Sequence, residues 1–434
     1  MRNLKVLLSL LCMLVLVLPV LTLQHGVSAQ DATEEATEMS GEMLMGQDMM
    51  AQCPDPASLP ETVNIGAMFD LSGTASVYGL VQQAGVNLAV EQINAAGYLG
   101  EGVTLEVQFQ DVASDAQQAI NVMTGFTEDP NIVAVIGPTL STEAVASVPV
   151  AQEAGLPVLG VSNTATGLRA ALGDFYHRAS LPESAVIPGT IAQATELLGL
   201  QNVGVLYGND DDFTLSGYDV FVQALADNGV NVVGEETFLK GDLDFNTQLT
   251  NLIGQNPDAL VVSALAAEAI QIVNQARQQG YTGPIIGGNG FNSPTVLTQT
   301  EGNNEGLIVG GSWNYDNPNP TESSQQFVAA YEAANGGTRP DQFAAQAYTG
   351  TWLVATAIRC ADSVDHAAVN EAIGGITNME TPLGAFSFDE AGEPTHEPIA
   401  QIVQGGKFVP LAVAMGGTME ATAEATAEAT EASS

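Results

Sequence analysis

The sequence predicts an α/β fold of two doubly wound lobes, each built on a parallel sheet. Between residues 61 and 290, short runs rich in β-branched residues alternate with longer segments of helical periodicity. Eight such runs fall into two successive sets of four, and the intervening segments are long enough for crossover helices. With 434 residues, of which 45% are hydrophobic, the chain can form two or three domains with sizeable cores.

The first set of strands shows the clearest patterns. Residues 132–136 are apolar on both faces, which is typical of a central parallel strand. Residues 103–109 alternate between apolar and polar side chains, which is typical of a half-exposed edge strand. We predict strands at 63–69, 103–109, 132–136 and 157–161, with a helix at 79–94 that ends in Asn94-Ala95-Ala96-Gly97.

The second set is predicted at 203–207, 230–233, 259–262 and 284–287. Two further helical patterns follow, and the chain then returns to β-like segments at 383–388, 399–403 and 408–411. Ligands bind doubly wound sheets at the carboxyl ends of the strands, beside helix N-termini. Two such lobes facing each other would therefore form a cleft that can close on a small molecule.

Residues 1–29 are predicted to be a signal peptide. Arg2 and Lys5 precede an almost wholly apolar run at 6–23, and small residues at 27–29 come before a cut at Gln30. The alternative is an uncleaved membrane anchor, because the apolar run approaches the length that spans a bilayer. Cleavage predicts an exported protein, located in the periplasm or at the extracellular cell surface.

Two segments have the composition of disordered chain. Residues 30–60 are predicted to be an acidic, Met-rich linker, and residues 413–434 an Ala/Thr/Glu tail. Neither segment has enough periodic apolar surface to offset the entropy lost on ordering.

The charge of the chain excludes several classes of function. Nine Lys and Arg residues stand against 50 Asp and Glu, which gives a formal net charge of −41. Nucleic acid binding needs clustered basic residues, so no nucleic acid partner is expected. Four His and three Cys are too few for a zinc or iron–sulfur site built from these residues, so no metal or cofactor is expected.

Two cysteines, Cys53 and Cys360, remain after signal peptide removal. An exported protein folds in an oxidising compartment, so we hypothesise a disulfide that tethers the N-terminal arm. The alternative, one buried and one exposed thiol, is equally compatible with the sequence.

Enzyme motifs are missing from the sequence. It contains no G-x-S-x-G, no G-x-x-x-x-G-K-[ST] and no H-E-x-x-H. We therefore expect no catalytic residues and no enzymatic activity, with an exported α/β enzyme as the alternative that turnover of a bound ligand would support.

Several short motifs occur in a specific order along the chain. They are FDLSG at 69–73, YG at 78–79, LAVEQINAAG at 88–97, IGPTLST at 136–142, SNTAT at 162–166 and EG at 305–306. Together they resemble the leucine/isoleucine/valine-binding protein family, the type I periplasmic solute-binding proteins of ABC transporters. The resemblance covers roughly residues 61–412.

The resemblance implies a Venus flytrap fold, in which a three-strand hinge joins the lobes. The crossings would fall near residues 179, 312 and 389. Lobe 1 would comprise 61–179 and 313–388, and lobe 2 would comprise 180–312 and 389–412. The implied function is capture of a small polar solute, an amino acid or related compound, by a monomer that delivers it to an ABC transporter permease. A ligand-sensing module is the alternative.

The resemblance also assigns residues of lobe 1 to the ligand. Leu140 and Ser141 would both contact the ligand. Ser141 would bind a carboxylate with its hydroxyl and with the amides of a helix N-terminus; an ordinary helix cap is the alternative. Thr164 and Thr166 would provide backbone and hydroxyl contacts, or belong to an ordinary hydroxyl-rich loop. Tyr78 would form an aromatic wall, or serve only in packing.

Two residues in the second half of the site depart from the family pattern. Phe213 stands where the family often has Tyr, so its contact would be apolar. Asn289 stands where an acidic residue commonly pairs with the ligand ammonium. A neutral amide removes that counter-charge, which makes amides, urea-like compounds, hydroxy or aromatic acids and polyols candidate ligands. The acidic run at 210–212 could supply charge instead, or simply precede a helix.

Overall fold

The structure, a computed structural model, describes residues 45–50, 52–414 and 416. The predicted signal peptide and most of both predicted tails lie outside these residues. None of the helices described is long and apolar enough to cross a membrane.

The first lobe is built on five parallel strands in the order β2-β1-β3-β4-β5. As predicted, the wholly buried β3 is central and the alternating β2 lies at the edge. The strands are β1 (Thr62–Phe69), β2 (Thr104–Asp111), β3 (Ile132–Ile136), β4 (Val158–Gly160) and β5 (Tyr176–Arg178). The helices up to this point are α1 (Gln47–Met50), α2 (Ser76–Ala95), α3 (Ala116–Glu128), α4 (Ser141–Ala154) and α5 (Leu168–Leu172).

The chain then enters the second lobe, whose sheet has seven strands in the order β14-β13-β10-β9-β8-β6-β7. Its first five strands are β6 (Asn202–Gly208), β7 (Asn231–Phe238), β8 (Ala259–Ser263), β9 (Ile285–Gly287) and β10 (Leu307–Gly311). The helices here are α6 (Glu183–Leu198), α7 (Asp212–Asp227), α8 (Asn246–Ile253), α9 (Ala266–Gln278), a 3-10 helix (Asn289–Phe291) and α10 (Pro294–Gln299).

After β10 the chain returns to the first lobe and then ends in the second. The returning helices are α11 (Glu322–Ala334), α12 (Gln342–Ala361) and α13 (His366–Gly374), followed by a hairpin of β11 (Met379–Thr381) and β12 (Gly384–Phe386). The last elements are β13 (Ile399–Gln404), β14 (Lys407–Pro410) and α14 (Leu411–Ala414), and β13 pairs antiparallel with β10. The chain thus passes between the two sheets three times.

The core of the first lobe lies between its sheet and α2 and α12. Trp352 of α12 is fully buried in the same apolar cluster as Ile65, Ile136 and Val86. Gly85 of α2 lets the two helices approach closely, because a Cβ at this position would collide with the carbonyl oxygen of Ala344. This packing fixes the start of α12 against α2.

The predicted disorder of 30–60 is wrong for the part that the structure describes. Met49 of helix α1 and Met45, just before that helix, belong to the buried cluster that contains Tyr98 and Trp352. Two buried thioethers stabilise this short segment because Met fills irregular gaps in a core. At the other end, helix α14 includes residues 413 and 414, which composition alone assigned to the tail.

The structure joins Cys53 to Cys360 by a disulfide whose Cα atoms lie 4.8 Å apart. The neighbouring Arg359 is also bound to this arm. Its Nε donates to the carbonyl oxygen of Cys53 at 3.0 Å, and its Nη2 donates to Asp55 Oδ1 at 2.7 Å. The end of α12 thus holds the N-terminal arm by a covalent bond and by charge-assisted hydrogen bonds.

We expect the double variant Cys53→Ser/Cys360→Ser to unfold at lower denaturant concentration than the wild-type protein. The two cysteines are 307 positions apart, and a cross-link over so long a loop lowers the entropy of the unfolded chain, which stabilises the folded state by about 5 kcal/mol. Urea unfolding with and without a reductant measures the effect. Reductant should shift the wild-type midpoint down and leave the variant unchanged; equal midpoints for oxidised wild type and variant would contradict the prediction.

Candidate ligand-binding site

A cavity lies where the strands of both sheets end, between the two lobes. We call it the cleft cavity. It contains about 270 Å³ of space unfilled by protein atoms, part of which is open to solvent. Its lining residues are Tyr78, Thr139, Leu140, Ser141, Ser162, Phe213, Leu265, Asn289, Gly290 and Phe343. The part of this space that water-sized molecules can occupy is about 20 Å³, enough for a single water molecule, so the lobes must separate to admit a solute.

The structure brings together five of the seven residues that the sequence assigned to the ligand, namely Tyr78, Leu140, Ser141, Phe213 and Asn289. Sequence reasoning missed the other lining residues. Thr139 and Ser162 lie inside motifs already singled out, so their place after a strand could have identified them. Phe343, the second residue of α12, lies far along the chain, and its spacing indicated only a helix.

Ser141 is the first residue of α4, and the residue at the helix N-cap is Leu140. The backbone amide of Leu140 donates to Glu143 Oε2 at 3.0 Å. Ser141 Oγ accepts a hydrogen bond from the Ala165 amide at 3.2 Å, which leaves its hydroxyl hydrogen available to a ligand. Together with the unpaired first-turn amides and the positive end of the helix dipole, this hydroxyl favours an anionic group.

The structure places neither Thr164 nor Thr166 in the cavity wall, unlike the sequence prediction. Thr164 is buried and donates its hydroxyl to Glu183 Oε1 at 2.9 Å. Thr166 is exposed, and its backbone amide donates to Ser216 Oγ in the other lobe at 2.8 Å. Of this loop only Ser162 lines the cavity; the Thr164 hydroxyl bonds to Glu183 at the start of α6, and the Thr166 amide bonds across to the other lobe.

Tyr78 contributes an aromatic wall and also joins the lobes. Its hydroxyl donates to the carbonyl oxygen of Gly290 at 2.8 Å and accepts from the Ala266 amide at 2.7 Å. Tyr78 belongs to α2 in the first lobe, whereas Gly290 and Ala266 belong to the second. A Cβ at position 290 would collide with the Ala264 carbonyl oxygen, so glycine is needed for this close approach.

Apolar side chains form the rest of the wall. The rings of Tyr78 and Phe343 have centroids 4.5 Å apart, and Leu140, Phe213 and Leu265 complete the surface. Phe213 is buried in the first turn of α7, where it provides an apolar contact without a hydroxyl, as its residue type predicts. The cavity therefore suits a ligand with a hydrocarbon or aromatic portion.

Asn289 begins the 3-10 helix that follows β9. Its Oδ1 accepts a hydrogen bond from Gln342 Nε2 of α12. The acidic run proposed as a substitute charge is engaged elsewhere. Asp211 caps α7 and accepts from Thr142 Oγ1 at 3.0 Å, and Asp210 accepts from the backbone amide of Lys240 at 2.8 Å.

Buried carboxyl groups surround the cavity without lining it. Burial raises the pKa of Glu183, at the start of α6, to about 7, and raises that of Asp341, at the N-cap of α12, to about 7. Burial also raises the pKa of Asp70 and of Glu143, and the charge of Asp70 further raises that of Glu143. Desolvation thus holds Glu183 and Asp341 partly protonated at neutral pH.

Two doubly wound lobes, three crossings and a cavity between the lobes define the class of this protein, a type I periplasmic binding protein. A family model described as "Periplasmic binding protein" matches residues 62–407. The chain therefore belongs to the periplasmic binding protein family.

Several characterised relatives carry names of amino acid-binding proteins. The leucine-, isoleucine-, valine-, threonine- and alanine-binding protein of Pseudomonas aeruginosa is 24% identical over 77% of this chain and 87% of its own length. The Leu/Ile/Val-binding protein homolog 2 of Brucella abortus is 26% identical over 77% of this chain and 88% of its own length.

Solved structures share the fold over the same region. The branched-chain amino acid transporter substrate binding protein LivJ of Streptococcus pneumoniae, in complex with isoleucine, superposes with a TM-score of 0.74. It is 30% identical over 80% of this chain and 97% of its own. A solute binding protein of R. palustris in complex with benzoate has a TM-score of 0.73 at 21% identity, over 81% and 95% of the two chains.

Asp341→Asn should change how stability depends on pH. Burial raises the pKa of Asp341 from 3.8 to about 7, so the folded protein binds this proton more tightly than the unfolded chain. The stability contributed by this proton is complete below about pH 4 and is lost as the pH rises through 7. Asparagine can still accept the Ala344 amide hydrogen bond that caps α12.

The free energy of unfolding of both proteins should be measured by urea denaturation between pH 4 and pH 8. The value for the variant minus that for the wild type should increase with pH over this range. Other titrating groups cancel in this difference, so parallel curves would contradict the raised pKa.

Proposed function

We propose that this protein is exported by its N-terminal signal peptide and captures a small polar solute, an amino acid or related compound, for an ABC importer. The observation that carries this proposal is the cleft cavity, which both lobes enclose and which combines an anion-binding helix N-terminus with an apolar wall. Ser141 would hold a carboxylate, and Tyr78, Phe213 and Asn289 would contact the remainder of the solute.

Closure of the lobes would trap the solute. Hydrogen bonds join the lobes around the cavity, from Tyr78 to Gly290 and Ala266, from Thr142 to Asp211, and from the Thr166 amide to Ser216. A solute can enter only when these contacts separate, so the hinge must open and close around the three crossings. Lobe 1 would comprise 61–179 and 313–388, and lobe 2 would comprise 180–312 and 389–412.

The permease would recognise the closed form, because only that form carries both lobe surfaces in a fixed relation. A monomer recognised in its closed form would be sufficient to deliver the solute to the permease. Besides Tyr78, the polar side chains that line the cleft cavity are Thr139, Ser141, Ser162 and Asn289. None of these is a general base beside the Ser141 hydroxyl, which supports binding without chemical change of the solute.

A thermal-shift screen with amino acids, amides, urea compounds, aromatic and hydroxy acids and sugars tests the proposal. A solute that binds the native state raises the melting temperature by mass action. Isothermal titration with the strongest stabiliser should give one site per chain and no product. Absence of any stabilising solute, or turnover of the one found, would overturn the proposed function.

Ser141→Ala should weaken binding of that stabiliser more than tenfold, because a carboxylate would lose a hydroxyl donor in a site shielded from water. The melting temperature of the empty variant should stay close to that of the wild type. Ser147→Ala is a matched control, since Ser147 is buried on the same helix and donates only to the Glu143 carbonyl oxygen. Equal affinities for the two variants would remove Ser141 from the site.

Tyr78→Phe should make closure harder while it preserves the aromatic wall. The variant loses two hydrogen bonds between the lobes, each worth about 1 kcal/mol. In small-angle X-ray scattering, the solute-induced decrease in the radius of gyration should require roughly thirtyfold more solute than in the wild type. Tyr218→Phe, whose hydroxyl bonds only to Glu235 within the second lobe, should behave like the wild type.

A further inference from the structure

The orientation of one side-chain amide in the cleft cavity restricts the chemistry of the ligand. The orientation follows from a chain of hydrogen bonds. The chain begins at the backbone amide of Ser312, the residue just after β10. The Ser312 amide donates to the side chain of Gln342 at 3.0 Å. A backbone N–H can only donate, so the Gln342 atom that faces it is Oε1.

A second fixed group gives the same orientation. Asn292 Nδ2 donates to the Trp313 carbonyl oxygen at 3.2 Å, and a carbonyl oxygen can only accept. The same Nδ2 donates to Gln342 Oε1 at 2.6 Å, while Asn292 Oδ1 accepts from Gln401 Nε2 at 2.8 Å. Both anchors therefore direct Gln342 Nε2 away from Ser312.

The atom that receives Gln342 Nε2 is Oδ1 of Asn289. Asn289 is 5% exposed and lines the cleft cavity. Its oxygen is thus used by the protein, and its Nδ2 has no protein acceptor among the residues that the structure describes. Asn289 therefore presents a hydrogen-bond donor to the cavity. A flip of its amide would place its NH₂ group against the NH₂ group of Gln342.

The other polar groups of the wall leave few acceptors for a cation. Ser162 Oγ already accepts from Gln82 Nε2 at 2.7 Å, and Thr139 Oγ1 already accepts from the Asp70 amide at 3.0 Å. Ser141 Oγ already accepts from the Ala165 amide. No carboxylate is among the residues that line the cavity.

We propose that the ligand is a carboxylic acid whose second carbon bears an oxygen, as in 2-oxo and 2-hydroxy acids, in place of an ammonium group. This inference rests on the proposed function and names its solute class. The carboxylate would lie at Ser141 and the start of α4, the C2 oxygen would accept from Asn289 Nδ2, and an alkyl or aryl group would contact Tyr78, Phe213 and Phe343. An ammonium at C2 would face the Asn289 NH₂ without a counter-charge.

Glu183 is the nearest rival source of negative charge. Its Oε1 accepts from Thr164, and its Oε2 has no partner among the described residues. A Cβ on Gly288 would lie 3.2 Å from that Oε2, so Glu183 lies behind the backbone of the 288–289 segment and outside the cavity wall.

Isothermal titration with compounds that share a carbon skeleton tests the proposal. L-leucine, 4-methyl-2-oxopentanoate and 2-hydroxy-4-methylpentanoate differ only at C2, and L-phenylalanine, phenylpyruvate and phenyllactate form a second series. In at least one series the oxo or hydroxy acid should bind at least tenfold more tightly than the amino acid. Equal or tighter binding of the amino acids would overturn the inference, but not the proposed function.

If none of the six compounds binds, the proposed solute class is overturned. The thermal-shift screen tests separately whether the protein binds any solute. The ratio of the Kd of the 2-oxo acid to that of the 2-hydroxy acid shows whether the site prefers a carbonyl or a hydroxyl oxygen at C2. Either preference supports the proposal when the amino acid binds tenfold more weakly.

Asn289→Asp should reverse the preference. Aspartate can still accept from Gln342 Nε2, and its second oxygen would present an acceptor and a negative charge to the cavity. Amino acid affinity should rise at least tenfold and oxo acid affinity fall by a similar factor. Asn121→Asp, with the same charge change on an exposed position of α3, should leave both unchanged. An unchanged ratio in a folded Asn289→Asp variant would overturn the inference.

Discussion

The cleft depends on one constraint, that the parallel strands of each lobe all end at the same edge of their sheet. Ser141 follows β3, Ser162 follows β4, Phe213 follows β6 and Asn289 follows β9. Because these strands are buried on both faces, their side chains are used for the core, and only the segments beyond their carboxyl ends are free to meet a ligand. The two sheets turn these edges toward each other, which makes one cavity out of loops that are up to 148 positions apart in the chain.

Burial of the nearby carboxyl groups determines the charge around the cleft. The chain has a formal net charge of −41, yet carboxylates do not line the cavity. The nearby carboxyl groups are buried behind it with raised pKa values.

Arg178 lies where the chain crosses between the lobes. It binds both carboxylate oxygens of Glu393, at 2.6 and 2.7 Å, and donates to the Ala165 carbonyl oxygen at 2.7 Å. One bidentate ion pair thus fixes the first crossing relative to the third and to the loop after β4.

The N-terminal arm shows how long-range contacts override composition. Residues 45–53 have few periodic apolar positions, and a composition-based reading assigns them to disordered chain. Their order comes from partners far along the sequence, since Met45 and Met49 pack beside Trp352, and Cys53 and Asp55 are bound by Cys360 and Arg359. The entropy lost by ordering this arm is offset by burial and by the disulfide, and neither is visible within a local window.

The sequence by itself determined the α/β class, the central place of β3 and the edge place of β2, because period and apolarity report directly on burial. It indicated eight of the nine strands that the structure has between residues 61 and 290; the short β5 was not predicted. It also indicated Tyr78, Leu140, Ser141, Phe213 and Asn289 for the cavity by resemblance of motifs in order. Only the tertiary structure decided that Phe343 completes the wall, that Thr164 and Thr166 lie outside it, and that Gln342 fixes which end of the Asn289 amide faces the ligand. These outcomes depend on contacts between residues distant in the chain, and a linear pattern carries no information on which hydrogen-bond partners meet in space.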